Sequence, residues 1–288
     1  MDNALDVRNL AKDYGDFRLR DVSFSLPRGY IMGLIGPNGA GKTTIIKLIL
    51  NLIRRDGGEI RVFGLDNLGR EIEVKSRIGF VHDTPYFFEH LALINVAKTV
   101  SPFYRDWDEE LFHRLIRDFD LPPRKRFAKL SRGMKMKFAL AVALSHKADL
   151  LILDEPTSGL DPVFRRDLLQ RLSGFIQDEG KSVLFSTHIT ADLERIADFI
   201  TFVRDGEIVF SSPKDKILDA WAVVKGGPEI LAPENRPLFA AVRKREYVVQ
   251  ALTADAAETR RRLGSGAAIE RATLEDIMFY LSKGNGHV

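Results

Sequence analysis

The chain has 288 residues, enough for one large or two modest domains with a buried core. Lys and Arg number 43 against 40 Asp and Glu, so the net charge of +3 makes no case for nucleic acid, although a local basic face could meet acidic lipid headgroups. There is no cysteine, which excludes disulfides, thiolate metal sites and thiol nucleophiles and suits a reducing cytosol.

Met1-Asp2-Asn3-Ala4 is too polar for a signal peptide. The longest apolar candidate, Phe138 to Leu144, falls far short of the ~18 residues of a membrane helix and ends in Ser145-His146-Lys147. The chain is not expected to span a bilayer by itself.

Leu5 and Val7, then Val22, Phe24 and Leu26, alternate with polar residues as half-buried strands do. Ile31, Met32, Leu34 and Ile35 read as a buried strand. It enters Gly36-Pro37-Asn38-Gly39-Ala40-Gly41-Lys42-Thr43-Thr44, which fits G-x-x-x-x-G-K-[ST] at every fixed position. Ile45, Ile46, Leu48, Ile49 and Leu50 continue as a helix. Strand, glycine loop and helix are what a phosphate site requires: backbone N–H groups close around the anion and the helix adds the positive end of its dipole. Lys42 is expected to reach the β- and γ-phosphates, and the Thr43 hydroxyl to hold Mg²⁺. The loop from Gly36 to Thr44 is therefore a nucleoside triphosphate site.

Asp56-Gly57-Gly58 makes a turn, Ile60 and Val62 a strand, and Ile78 to Val81 a buried strand. From about Pro85 to Leu144 the spacing is helical, with stripes Leu91, Leu93, Val96 and Leu111, Leu115, Ile116, the second ended by Pro122-Pro123. Phe103 and Trp107 read as core of this helical insertion. Of the adjacent rings Tyr86, Phe87 and Phe88, at least one is expected to face out toward a partner. The apolar run Leu150 to Leu153 is typical of a parallel strand covered on both faces, and it ends in Asp154 and Glu155 at the edge where such sheets bind ligands. Asp154 is placed to hold Mg²⁺, and Glu155 to polarise the water attacking the γ-phosphate. Asp161-Pro162 opens a helix expected to run to Glu179 and stop at Gly180. Val183 to Phe185 is the next strand, and Phe199 to Ser211 a hairpin turned at Asp205-Gly206.

Beyond Pro213 no nucleotide motif appears. Gly226-Gly227-Pro228 and Pro233-Glu234-Asn235 mark loops, Tyr247-Val248-Val249 a strand, and Thr273 to Leu281 an amphipathic helix. The expectation is an ATPase domain over 1–213, with a helical subdomain at about 85–145, and a small α+β appendage over 214–288 with a loose tail from Gly284.

Over about residues 4–212 the chain resembles the nucleotide-binding subunits of ABC transporters. Leu130-Ser131-Arg132-Gly133-Met134 is similar to the family signature L-S-G-G-Q, and Ser158-Gly159-Leu160-Asp161 to its D-loop. His188, after Phe185-Ser186-Thr187, falls where the family has its switch histidine. Tyr14 lies where an aromatic stacks on adenine, with Phe17 the other ring nearby. The resemblance implies a P-loop α/β core with a mixed sheet, an N-terminal antiparallel sheet and a helical subdomain. It implies that two copies close head to tail around two ATP molecules, each ATP touching the phosphate loop of one subunit and Ser131 and Gly133 of the other. A homodimer is expected and a heterodimer stays open. The resemblance also implies a separately encoded membrane permease, a place on the inner face of the cell membrane, and closest kinship to drug- and antibiotic-exporter subunits. A soluble ABC ATPase, for example in cofactor assembly, is the alternative. Three positions depart from the family pattern. Arg132 and Met134 replace Gly and Gln in the signature, and Asp83 stands where Gln usually touches Mg²⁺.

Overall fold

The computed structural model describes residues 2–178, 180–244 and 248–282. Two long strands, β1 (Asn3–Asp13) and β2 (Arg18–Pro27), pair antiparallel with Val7 opposite Phe24 and Leu10 opposite Val22. Period-two alternation buries Leu5 with Val7 and Val22 with Phe24, and the register shift between Val7 and Leu10 keeps Leu10 in the same core. Strand β3 (Ile31–Ile35) is buried at all five residues and leads through the glycine loop into α1 (Lys42–Ile49). β4 (Gly57–Val62) returns to pair with β1, and the short β5 (Leu65–Asp66) completes a sheet of order β2-β1-β4-β5. Helix α2 (Glu71–Ser76) then brings the chain to β6 (Ile78–Val81).

Three helices follow: α3 (Leu93–Val100), α4 (Glu109–Asp118) and α5 (Arg132–Ser145). Their common core is aromatic, with Phe138 edge-on to Phe87 and Phe112, at 5.1 Å and 6.3 Å between centroids. The stripe expected from Leu91 begins its helix only at Leu93, and Leu91 sits in the preceding turn with its N–H on the Phe88 carbonyl at 3.1 Å. Phe103 is a correction of another kind. It was expected in the core but is 81% exposed, because Pro102 ends α3 in a tight turn (Ser101–Phe103) that swings the ring outward. Trp107 does pack on the core, against Phe112.

The chain re-enters the central sheet as β7 (Leu150–Asp154), crosses by α6 (Pro162–Phe175) to β8 (Ser182–Ser186), and by α7 (Thr190–Ile196) to β9 (Phe199–Arg204) and β10 (Glu207–Pro213). The order is β10-β9-β3-β8-β7-β6, parallel except for the β9–β10 hairpin. Helix α6 starts at Pro162 as expected but ends at Phe175, well before Gly180. Gly174 weakens the last turn, and Asp178 folds the chain back by accepting the Gly180 N–H at 3.1 Å. Glu179, the expected end, lies outside the described residues.

Helix α8 (Lys214–Ala220) leads to a third sheet, built from β11 (Ala222–Gly226), β12 (Phe239–Lys244), β13 (Val249–Thr253) and β14 (Ala268–Arg271) in the order β12-β13-β11-β14. Helix α9 (Ala256–Leu263) precedes β14, and α10 (Leu274–Ser282) follows it. The expected strand over 247–249 begins at Val249, with Tyr247 outside the described residues, as is the tail from Gly284. Leu274, Ile277 and Leu281 share a hydrophobic core with Leu193 and Ile200. The Arg204 guanidinium also donates to the Leu281 carbonyl at 3.1 Å.

One buried group predicts a pH dependence. His146 follows α5 as its buried C-terminal cap residue, stacked on Tyr104 at 4.1 Å, with neither ring nitrogen hydrogen-bonded among the described residues. Burial pushes its pKa down from 6.5 to about 4. The unfolded chain binds this proton below about pH 6.5 and the folded chain refuses it until about pH 4, so stability falls as pH drops through that window. The loss is roughly 3 kcal/mol at most. His146→Phe keeps a ring against Tyr104 and should flatten this part of the profile. Urea midpoints at about pH 7.5 and about pH 5 check it, and an equal fall in both proteins would contradict it.

Candidate functional site

The site begins at the end of β3, where Gly36 turns the chain beneath β9. Its φ is +155°, and a Cβ there would stand 2.1 Å from the Val203 carbonyl oxygen, so only glycine fits. Gly41 caps α1 in the left-handed region, with Phe17 and Leu19 closed over it. Between these two glycines the loop wraps around the Lys42 ammonium, which donates to the carbonyls of Gly36 at 2.8 Å and Pro37 at 3.1 Å. Burial pushes the Lys42 pKa down, while Glu155 and Asp154 pull it back up. The ammonium thus lies inside the loop that a phosphate would enter, bonded among the described residues to neutral carbonyls it can exchange.

Two strands away, β7 ends in Asp154, whose Oδ2 accepts the Thr43 hydroxyl at 2.9 Å. Its second oxygen, Oδ1, is buried and has no partner among the described residues. A buried carboxylate oxygen without a protein partner, beside a hydroxyl, is the hard oxygen chemistry that suits Mg²⁺, so these residues fit that ion. Glu155 follows in the left-handed region at φ +50°, a geometry costing roughly 1–2 kcal/mol for a residue with a Cβ. Its N–H is held by the Ser186 carbonyl at 2.9 Å. The turn aims its carboxylate at His188, with Oε2 2.7 Å from Nδ1 and 3.4 Å from the His188 backbone nitrogen.

These groups surround a cleft of about 270 Å³. Asn38, Gly39, Gly41, Lys42, Thr43 and Thr44 form one wall, and Asp83, Asp154 and Glu155 another. Asp83 is brought to the cleft and is paired with His82. Gly36 and Ala40 shape the loop from behind, Ala40 by accepting the Gly206 N–H at 3.1 Å.

Other expected site residues lie elsewhere. Tyr14 is half-exposed and carries Lys12 over its ring at 5.4 Å; the ring that lines the cleft is Phe17. Ser131 caps α5, its hydroxyl accepting the Met134 N–H at 3.3 Å, and neither Ser131 nor Gly133 reaches the cleft of its own chain. Asp161 caps α6 through the N–H groups of Val163 and Phe164, which hold its carboxyl below the usual range. What the sequence did not disclose is the contact of Arg132 with Ser158, 26 residues along the chain.

Beside the cleft, His82, Tyr86, Phe87, Tyr104 and His146 enclose a second cavity of about 290 Å³. Of the three adjacent rings, Phe87 packs inward on Phe127 and Phe138, while Tyr86 is 77% exposed and Phe88 half-exposed. The expected outward ring is therefore present, as Tyr86 and Phe88. Among the described residues no helix is long and apolar enough to cross a membrane.

Comparison with known proteins agrees with this geometry. A family profile described as ABC transporter matches residues 19–158. The chain is 33% identical over 216 residues to the lantibiotic transport ATP-binding protein SrtF of Streptococcus pyogenes, covering 73% of this chain and 91% of that one. It is 31% identical over 212 residues to the bacitracin transport ATP-binding protein BcrA of Enterococcus faecalis, covering 73% and 69%. A solved ATP-binding subunit of an ABC transporter superposes with a TM-score of 0.69 at 31% identity, over 75% of this chain and 92% of that one. The fold is shared as well by cbiO1 of Clostridium perfringens, with a TM-score of 0.64 at 21% identity over 76% and 92%. With its phosphate loop, paired carboxylates and signature helix in this arrangement, the chain belongs to the ATP-binding subunits of ABC transporters and is an ATPase.

Proposed function

We propose that this subunit powers a separately encoded membrane permease, most like those that export antibiotic peptides, by closing head to tail with a second ATPase subunit around two ATP molecules. The observation that carries this reading is the exposed signature loop. Ser131 is exposed and Gly133 open, a Cβ at Gly133 meeting only Leu160 at 3.9 Å, yet both lie away from their own cleft. A helix N-terminus so displayed is available to the phosphates of another chain. A site split in this way couples dimerisation to nucleotide, because neither half alone neutralises the γ-phosphate.

In this mechanism the phosphate oxygens replace the Gly36 and Pro37 carbonyls around Lys42. Thr43, Asp154 and Asp83 would hold Mg²⁺, which when bound supplies charge neutralisation at the β- and γ-phosphates. Glu155 accepts a proton from the attacking water or positions it, and His188, bonded to the same carboxylate, senses the γ-phosphate. Residues 1–213 act as the ATPase domain, with a helical part at about 85–145, and 214–288 as an accessory domain. Tyr86 and Phe88, exposed beside the second cavity, face the permease, which keeps the subunit on the cytoplasmic side of the membrane.

Tyr14 is assigned to stack on adenine. Tyr14→Ala should weaken ATP binding by the equivalent of roughly 1–3 kcal/mol in a fluorescent-nucleotide titration. If Phe17→Ala lowers affinity and Tyr14→Ala leaves it unchanged, the stacking ring is Phe17, as its place in the cleft would favour.

The transport role is tested by looking for a multi-span permease encoded beside the gene and co-expressing it with the tagged chain. A co-purifying complex whose ATPase rate differs from that of the free subunit is expected. A chain that hydrolyses ATP at full rate with no permease bound, and whose gene has no permease neighbour, would favour the soluble alternative.

A further inference from the structure

Arg132 stands where the family signature carries glycine, and the mechanism above gives it no task. It is the first residue of α5, directly after the Ser131 cap, and no acidic residue occupies that first turn. A cation at this position meets the positive end of the helix dipole, so the helix itself does not favour it. Among the described residues Arg132 forms no ion pair; its guanidinium lies instead across the turn at Ser158 and Gly159. Nη2 donates to the Ser158 hydroxyl at 3.4 Å. A Cβ at Gly159 would stand 3.6 Å from Arg132 Cδ and 3.7 Å from its Nε. Gly159 has φ +75°, and these are ordinary contact distances, so the Arg132 side chain packs along the turn.

This turn is joined by one hydrogen bond to the backbone of Glu155, the residue that carries the catalytic carboxylate. The Ser158 N–H donates to the Glu155 carbonyl at 3.1 Å. Glu155 is itself held at positive φ, with its carboxylate on His188. A single side chain therefore joins the start of the signature helix to the turn that sets the direction of Glu155.

The geometry points to Arg132 as a positioning residue that transmits occupancy of the signature loop by the partner's ATP to Glu155 of its own subunit. The inference rests on the head-to-tail reading. Phosphate oxygens arriving at Ser131 and Gly133 compete with Ser158 for the neighbouring guanidinium. They win, because a charge-assisted, two-pronged bond to phosphate outweighs one long bond to a neutral hydroxyl. Release of the Ser158–Gly159 turn then resets Glu155, so filling one site of the dimer alters the catalytic group of the other. Arg132 forms and breaks no covalent bond in this role.

The test is the ATP-concentration dependence of hydrolysis in wild type, Arg132→Gly, Arg132→Lys, Ser158→Ala and the double variant Arg132→Gly/Ser158→Ala. Wild type should give a Hill coefficient approaching about 2, the number of coupled sites. Arg132→Gly and Ser158→Ala should each bring it toward about 1, and the double variant no lower, since both remove one contact. Arg132→Lys should restore part of the cooperativity, because lysine can donate to Ser158 but meets phosphate as a point charge without the planar two-pronged fork. A purely structural role would lower the melting temperature and kcat without moving the Hill coefficient. Unchanged cooperativity in both single variants, with ATP-driven dimers still formed, would overturn the proposal, as would a dimeric wild type with a Hill coefficient of about 1. A wild type that fails to dimerise with ATP would remove the head-to-tail reading and this inference together; its mass in light scattering tells that failure from the others.

Discussion

Glu155→Gln should retain ATP binding and lose hydrolysis by about 10²–10⁴-fold, the usual contribution of a positioned general base. The amide matches the carboxylate in shape, so the left-handed turn at Glu155 and its N–H bond to Ser186 stay as they are. What changes is the oxygen that faces His188 at 2.7 Å and would take the proton of the attacking water. Lys42, Thr43 and Asp154 are untouched, so ATP and Mg²⁺ should still enter the cleft. With hydrolysis blocked, the closed dimer has no route to open and should accumulate. Phosphate release measures the first effect, and a doubling of mass in light scattering the second. Turnover near the wild-type rate would remove Glu155 from the chemistry.

The parts of this site legible in the sequence are those whose chemistry runs along consecutive residues. Ile31 to Thr44 and Leu150 to Glu155 each combine a buried strand with its polar tip, so pattern and function coincide within one short stretch. Phe103 was misread because an apolar residue in a helical segment resembles core, whereas Pro102 decides locally where the ring points. The end of α6 was overrun because Gly180 is a stronger stop signal than Gly174, yet the turn at Asp178 intervenes. Phe17 in the cleft and Arg132 on Ser158 are contacts between separate segments, and no periodicity or motif encodes such contacts.

The second large effect concerns two inactive variants that should rescue one another. Lys42→Ala removes the ammonium at the centre of the phosphate loop, and Ser131→Arg places a bulky side chain at the exposed cap of α5. Ser131 does not reach its own cleft, so in a head-to-tail dimer each mutant chain spoils a different half of a site. A mixed dimer then contains one composite site with both defects and one with neither. Loss of the Ser131 cap costs about 1 kcal/mol of helix stability, too little to unfold the chain, so inactivity of that variant reports on the interface.

Equal amounts of the two purified variants should be mixed, and phosphate release and ATP-dependent mass measured on the same samples. Each variant alone should be inactive, while the mixture should form dimers with ATP and, provided that one intact site fires alone, regain part of the wild-type turnover. Strict coupling between the two sites would hide the turnover and leave the ATP-dependent dimers. A mixture that shows neither turnover nor ATP-dependent dimers, while wild type shows both, or a wild type fully active as a monomer, would contradict the head-to-tail site.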